Sequence, residues 1–152
     1  MTEKPSSAEE VAEVVRAHAR ISAVGGRTKP ALVGEGKELG LSGLTGITDY
    51  EASEYTFTAR AGTTIREVEE VLKAKRQYLP FDPLFAESGA TLGGTVASGA
   101  CGPGRFRFGG LRDFFIGVQF VDGAGELVRS GGKVVKNAAG FDLPKFLVGS
   151  MG

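Results

Sequence analysis

Residues 88–105 read Ser-Gly-Ala-Thr-Leu-Gly-Gly-Thr-Val-Ala-Ser-Gly-Ala-Cys-Gly-Pro-Gly-Arg, a run of glycines and small hydroxyl residues. Such a stretch lets backbone come close to another group and leaves N–H donors available, which is the chemistry of holding phosphate. Arg105, Arg107 and Arg112 follow at once, and their guanidinium forks suit an anion that backbone has already engaged. Leu92 and Val96 stand four apart among the small residues, so a short packed turn of helix with its smallest residues toward a ligand is expected. Spacing alone leaves open a solvated glycine-rich surface loop, and it does not name the anion.

A second candidate, Gly25-Gly26-Arg27-Thr28-Lys29-Pro30, ends the short apolar run Ile21 to Val24. Small residues, a hydroxyl and two cations at a strand end form a concave nest for a phosphate oxygen, although a plain reverse turn has the same composition. A third signal is the tail from Lys133, where Val134-Val135-Lys136-Asn137-Ala138-Ala139-Gly140-Phe141-Asp142-Leu143 leads through a small-residue turn toward Gly149-Ser150-Met151-Gly152.

Other chemistries find little support. Cys101 and His18 are the sole cysteine and histidine, so neither an internal disulfide nor a four-ligand zinc set is available. His18 sits at the edge of an apolar helical stripe and reads as a packing or surface residue. Gly123-Ala124-Gly125 has no third glycine, and neither Gly36-Lys37 nor Gly132-Lys133 has the flanking residues of a P-loop, so both nucleotide fingerprints fail. Val148 stands where a hydrolase nucleophile elbow needs its first glycine. Eighteen basic residues balance eighteen acidic ones, which argues against non-specific nucleic-acid binding. No run approaches about 18 apolar residues and Met1 to Glu10 lacks a signal-peptide core, so a soluble, cytoplasmic chain without direct membrane insertion is expected.

The elements that position these loops can be read in order. The 152 residues and their 41% hydrophobic content fit one globular domain burying roughly 70% of its unfolded surface. Ser7 with Glu10 suggests a capping box for a helix through Arg20, carried by Val11, Val14 and Val15. Ile21 to Val24 and Ala31 to Val33 read as extended runs in a small βαβ layer, and 34–46 as a glycine-punctuated loop. Ile47 to Tyr50 and Tyr55 to Ala61 read as strands. Thr64 with Glu67 caps a second helix running to about Arg76. Leu79 to Pro83 is a proline-stiffened extended approach to the central loop. Ile116 to Val121 and Glu126 to Ser130 form a hairpin about the turn Asp122 to Gly125, and a short helix starts at about Leu143.

Taken in this order, Gly25 to Thr28, Ala90 to Ala97, and Lys136 to Leu143 followed by Gly149 to Gly152 resemble the FAD-binding domain of the vanillyl-alcohol-oxidase (PCMH-type) flavoproteins. The Gly-Pro-Gly-Arg loop, Leu111-Arg112-Asp113-Phe114 and the Lys-Asn-Ala-Ala-Gly-Phe-Asp string are most similar to chains of bacterial glycolate-oxidase type. The resemblance covers nearly the whole chain and implies an α+β domain of two lobes, a small mainly parallel one (1–62) and a larger antiparallel one with helices (63–152), with FAD between them. By position, Gly25, Gly26, Arg27 and Thr28 would take the pyrophosphate from one side and Ala90, Thr91, Gly93, Gly94, Ala97 and Ser98 from the other. Lys136, Asn137, Gly140 and Asp142 would shape the flavin end.

Family members with a histidyl-linked flavin carry the histidine in a binding loop; these loops have none, so non-covalent FAD is expected. Family chains continue past the Gly-Ser-Met-Gly loop into a further strand and a substrate-capping domain. A fragment or a degenerate domain is therefore expected here, acting on a small 2-hydroxy acid only with other domains or oxidase subunits, or serving as a non-catalytic assembly module. No residue matches a family catalytic position.

Overall fold

A computed structural model describes residues 2–133 and 142–152. Lys136, Asn137 and Gly140 lie outside the described residues. The chain begins with α1 (Ala8–Ala17), whose Ser7 Oγ accepts the Glu10 N–H at 3.2 Å. Only half of the expected box forms, because the Glu10 carboxylate accepts from the Ser6 N–H at 2.7 Å.

Next, β1 (Ile21–Val24) pairs in parallel with β2 (Lys37–Gly40), in register from Ile21↔Lys37 to Val24↔Gly40. The connection is not a βα crossover. Pro30 starts a single 3₁₀ turn over Pro30–Leu32, so the extended run expected at Ala31 to Val33 is replaced by that turn. β2 falls inside the stretch read as a loop. Lys37 and Glu38 are charged and Gly40 is a poor strand former, and β2 becomes a strand through pairing with β1 on one side and with Glu3 on the other, where the Gly40 N–H donates to the Glu3 carbonyl at 2.7 Å.

β3 (Ile47–Glu51) and β4 (Thr56–Ala59) form an antiparallel pair. Tyr55, which the sequence reading places at the start of the second strand, is instead a left-handed turn residue at φ +56°. Then α2 (Ile65–Lys73) has the full capping box: Thr64 Oγ1 accepts the Glu67 N–H at 3.2 Å and Glu67 accepts the Thr64 N–H at 2.7 Å. The helix stops at Lys73, short of Arg76, which takes φ +57°. Ile65, Val68 and Leu72 share its buried face and pack with Leu79, Phe81, Ala90 and Leu111 into the main core.

The glycine-rich stretch folds as α3 (Leu92–Ser98), α4 (Arg105–Phe108) and α5 (Leu111–Phe114). A hairpin of β5 (Gly117–Val121) and β6 (Leu127–Gly131) follows, with Asp122 Oδ1 accepting the Ala124 and Glu126 N–H groups at 2.9 Å. α6 (Leu143–Leu147) packs against this hairpin and α5, and α1 covers the hairpin from elsewhere in the chain. The result is a mixed α+β chain with three two-stranded sheets among the described residues.

Candidate functional site

The start of α3 is fixed from two directions. The Ile65 N–H donates to the Ala90 carbonyl and the Leu92 N–H to the Thr63 carbonyl, each at 2.8 Å, so the starts of α2 and α3 are laced together. Thr91 is the N-cap, with Oγ1 accepting the Gly94 N–H at 3.2 Å. Gly93 donates to the Ala61 carbonyl at 2.8 Å, and a Cβ on it would stand 2.8 Å from the Ala61 Cβ. At the other end, the tail docks on α3: Gly149 N–H donates to the Val96 carbonyl at 3.0 Å and Met151 N–H to the Ala97 carbonyl at 2.8 Å.

Against this frame lies the turn after β1. Cβ atoms on Gly25 and Gly26 would collide with Thr91 Oγ1 and the Gly89 carbonyl oxygen respectively. These glycines are therefore demanded by the contact of the two loops with each other. Where the loops meet, a cleft is lined by Gly25, Gly26, Arg27, Thr28 and Lys29 from one, Thr91, Gly94, Ala97 and Ser98 from the other, with Leu32, Val33 and Met151 at its apolar side.

The two walls differ in donors. At the α3 wall the first-turn N–H groups are already held by Thr63, Ala61 and Thr91. In the β1 turn, no hydrogen bond among the described residues uses the backbone N–H of Gly25, Gly26, Arg27, Thr28 or Lys29. A run of successive N–H groups with a left-handed residue in it, Arg27 at φ +53°, is the geometry of an anion nest. The lining contains two cations and no carboxylate. Arg27 is already paired with Glu38, Nη2 to Oε2 at 2.5 Å and Nη1 to Oε1 at 3.2 Å. Thr2 Oγ1 also donates to Glu38 at 2.8 Å, and Arg27 first, then Thr2, hold that carboxyl down to about 2. Lys29 lies 5.5 Å from the centre of the Phe85 ring, and burial pushes its ammonium pKa down. A partly desolvated cation of this kind gains most from a neighbouring anion. The donor set thus suits a phosphate or diphosphate group, and FAD carries one.

Of the sequence candidates, Gly25, Gly26, Arg27, Thr28, Thr91, Gly94, Ala97 and Ser98 come together in this cleft. Ala90 and Gly93 have a different task. Ala90 is buried in the main core, and Gly93 is the close-packing contact to Ala61. Asp142 lies at the start of α6, 3.0 Å from Lys145 Nζ, and does not line the cleft.

The arginines expected to close on the anion do not reach it. Arg112 Nε donates to the Lys145 carbonyl at 3.0 Å, Arg107 sits 5.4 Å from the Phe108 ring centre, and Arg105 is outside the lining. The Gly102-Pro103-Gly104 segment wraps Asp82, whose carbonyl accepts the Gly102 N–H at 2.7 Å and whose carboxylate accepts the Gly104 N–H at 3.0 Å. Its glycines thus serve internal packing. Lys29, one of the two cations of the nest read from sequence but not among the residues assigned to the pyrophosphate, belongs to the lining. The signal available in sequence was a cation four residues past Gly25 with no acidic residue between Val24 and Gly34.

Residues 2–131 match the model of a family described as FAD binding domain. The chain is 44% identical over 107 residues to "Glycolate oxidase subunit GlcE" of Escherichia coli, covering 70% of this chain and 31% of that protein. It is 35% identical to a D-2-hydroxyglutarate dehydrogenase of Xanthomonas citri pv. viticola, covering 97% of this chain and 33% of the relative. The fold matches a solved alkyldihydroxyacetonephosphate synthase at a TM-score of 0.78 and 19% identity, covering 98% of this chain and 28% of that one. The chain spans about a third of the length of these curated relatives.

Proposed function

This chain belongs to the FAD binding domain family, with FAD as its cofactor, and from that premise we propose that the cleft between the β1 turn and α3 holds the diphosphate of non-covalently bound FAD. The observation that carries this reading is the set of five successive backbone N–H groups, Gly25 to Lys29, without acceptors among the described residues, in a turn that lines the cleft opposite small residues and no carboxylate. Backbone donors of this kind engage phosphate without reorganising. Thr28 and Ser98 add hydroxyls, and Lys29 adds the charge. Lys136, Asn137, Gly140 and Asp142 are assigned to the flavin end on the resemblance alone.

The whole protein is read as an FAD-linked 2-hydroxy-acid oxidase or dehydrogenase of glycolate or D-lactate type, of which this chain is the FAD-binding portion, with 1–62 and 63–152 as its two lobes. Relatives named as a glycolate oxidase subunit and a D-2-hydroxyglutarate dehydrogenase support that class. The bound flavin would accept the hydride, while the protein places it. Substrate oxidation also needs a cation for the substrate carboxylate and a base within hydrogen-bond reach of its hydroxyl. The cations of the cleft are Arg27, paired with Glu38, and Lys29, assigned to the phosphate, and its lining holds no carboxylate or histidine, so other domains or subunits are the proposed source.

The test is an absorbance spectrum of the purified chain, with and without added FAD, after gel filtration. Flavin bands that travel with the protein and pass into the supernatant on acid or heat denaturation are expected. A colourless protein after incubation with FAD would overturn the binding claim, and flavin retained in the precipitate would overturn the non-covalent one.

A further inference from the structure

Arg27 and Lys29 both line the cleft, yet only one of them is free to meet an anion. The Arg27 guanidinium is held at both ends by the Glu38 carboxylate, at 2.5 and 3.2 Å. Glu38 sits on β2, the parallel neighbour of the strand that feeds the turn, and is itself fixed by Thr2 Oγ1 at 2.8 Å. Arg27 also has a backbone φ of +53°, a conformation that a residue with a Cβ adopts reluctantly and keeps only where its surroundings impose it. Lys29 has no carboxylate partner among the described residues and rests on Phe85 instead.

We propose that Glu38 is a positioning residue of the cleft: by gripping both ends of the Arg27 fork it holds Arg27 in the left-handed conformation that turns the Gly25 to Lys29 N–H groups inward, and it neutralises Arg27 so that Lys29 is the cation that meets the phosphate. This rests on the FAD-binding reading above. Glycine adopts the left-handed region freely. An Arg27→Gly chain therefore has no need of Glu38, whereas a chain that keeps Arg27 but loses the carboxylate has the conformational penalty without the grip. If Arg27 itself bound the phosphate, the order would reverse. Removing Glu38 would free the guanidinium and tighten binding, and removing Arg27 would weaken it.

Two measurements on the 152-residue chain test this. In an FAD fluorescence titration, Glu38→Gln should bind about three- to tenfold more weakly. Arg27→Gly, and Arg27→Gly combined with Glu38→Gln, should bind within about twofold of each other, since without Arg27 the grip is no longer needed. Lys29→Gln should lose about tenfold or more, with a flatter dependence of affinity on salt. Unchanged or tighter binding by Glu38→Gln, or a loss in Arg27→Gly as large as in Lys29→Gln, would overturn the proposal.

Backbone amide resonances of residues 25–29 give a readout that needs no ligand. Glu38→Gln should shift or broaden them, and adding Arg27→Gly should remove that sensitivity to Glu38. Resonances indifferent to Glu38→Gln would sink the positioning role. A parent chain that binds no FAD but shows the expected resonance pattern would sink the FAD reading and leave the positioning role standing.

Discussion

Gly94→Asp separates the fold from the anion site. Gly94 is the third residue of α3, and a Cβ there would meet only Thr91 Oγ1, at 3.1 Å, so a side chain fits with a small adjustment. Replacing a helical glycine recovers about 0.5–1 kcal/mol, and an acid in the first turn adds about 0.3–1 kcal/mol. The tight contact with Thr91 offsets part of this, and the melting temperature should barely move. The carboxylate, however, enters the cleft that Gly94 lines. A phosphate charge about 5 Å away at an effective dielectric of about 20 is repelled by about 3 kcal/mol, a loss of more than about 100-fold in affinity. Gly94→Asn adds nearly the same volume without the charge and should stay within about tenfold of the parent, because only size is changed. Thermal melting followed by flavin fluorescence titration reads both quantities. A Gly94→Asp chain that melts normally and binds FAD undiminished would refute the reasoning, since α3 could not then face the phosphate.

Gly26→Ala should force the two loops apart, because its Cβ would collide with the Gly89 carbonyl. A loss of about 1–3 kcal/mol by urea unfolding is expected, together with weaker FAD binding, and a parent-like unfolding midpoint would contradict this. Thr64→Ala removes the α2 cap and should lower stability by about 0.5–2 kcal/mol, read by circular dichroism during denaturation; no shift would mean that the box is dispensable. Glu38 is held down to about 2 from an ordinary 4.5, so its contribution is complete above pH 4.5 and is lost as pH falls toward 2. The acid limb of a stability–pH curve should accordingly flatten in Glu38→Gln, and identical limbs would contradict the pair.

Much of this was legible in sequence where local chemistry decides it. Thr64 and Glu67 announce a helix start because both hydrogen bonds of the box are local. Asp122 to Gly125 announces a hairpin because the turn needs a left-handed glycine. Gly25-Gly26 and Thr91 to Ser98 could be named as partners in one site, although their mutual contact is tertiary. What sequence hid depends on distant neighbours. Lys37–Gly40 is a strand only because β1 and Glu3 flank it. Gly93, Gly102 and Gly104 look like ligand-facing glycines but pack on Ala61 and Asp82. The arginine pairings likewise reverse expectation, since Arg27 is occupied by Glu38 on the neighbouring strand while Lys29 remains available.

The central claim is that the N–H groups of Gly25 to Lys29 meet the diphosphate of FAD. Amide chemical-shift mapping of the chain during titration with FAD, ADP and riboflavin tests it most directly. FAD and ADP should move the resonances of residues 25–29 and Thr91 most, and riboflavin, which has no phosphate, should leave them in place. Shifts centred on Arg105 to Arg112, or equal shifts with riboflavin, would contradict it.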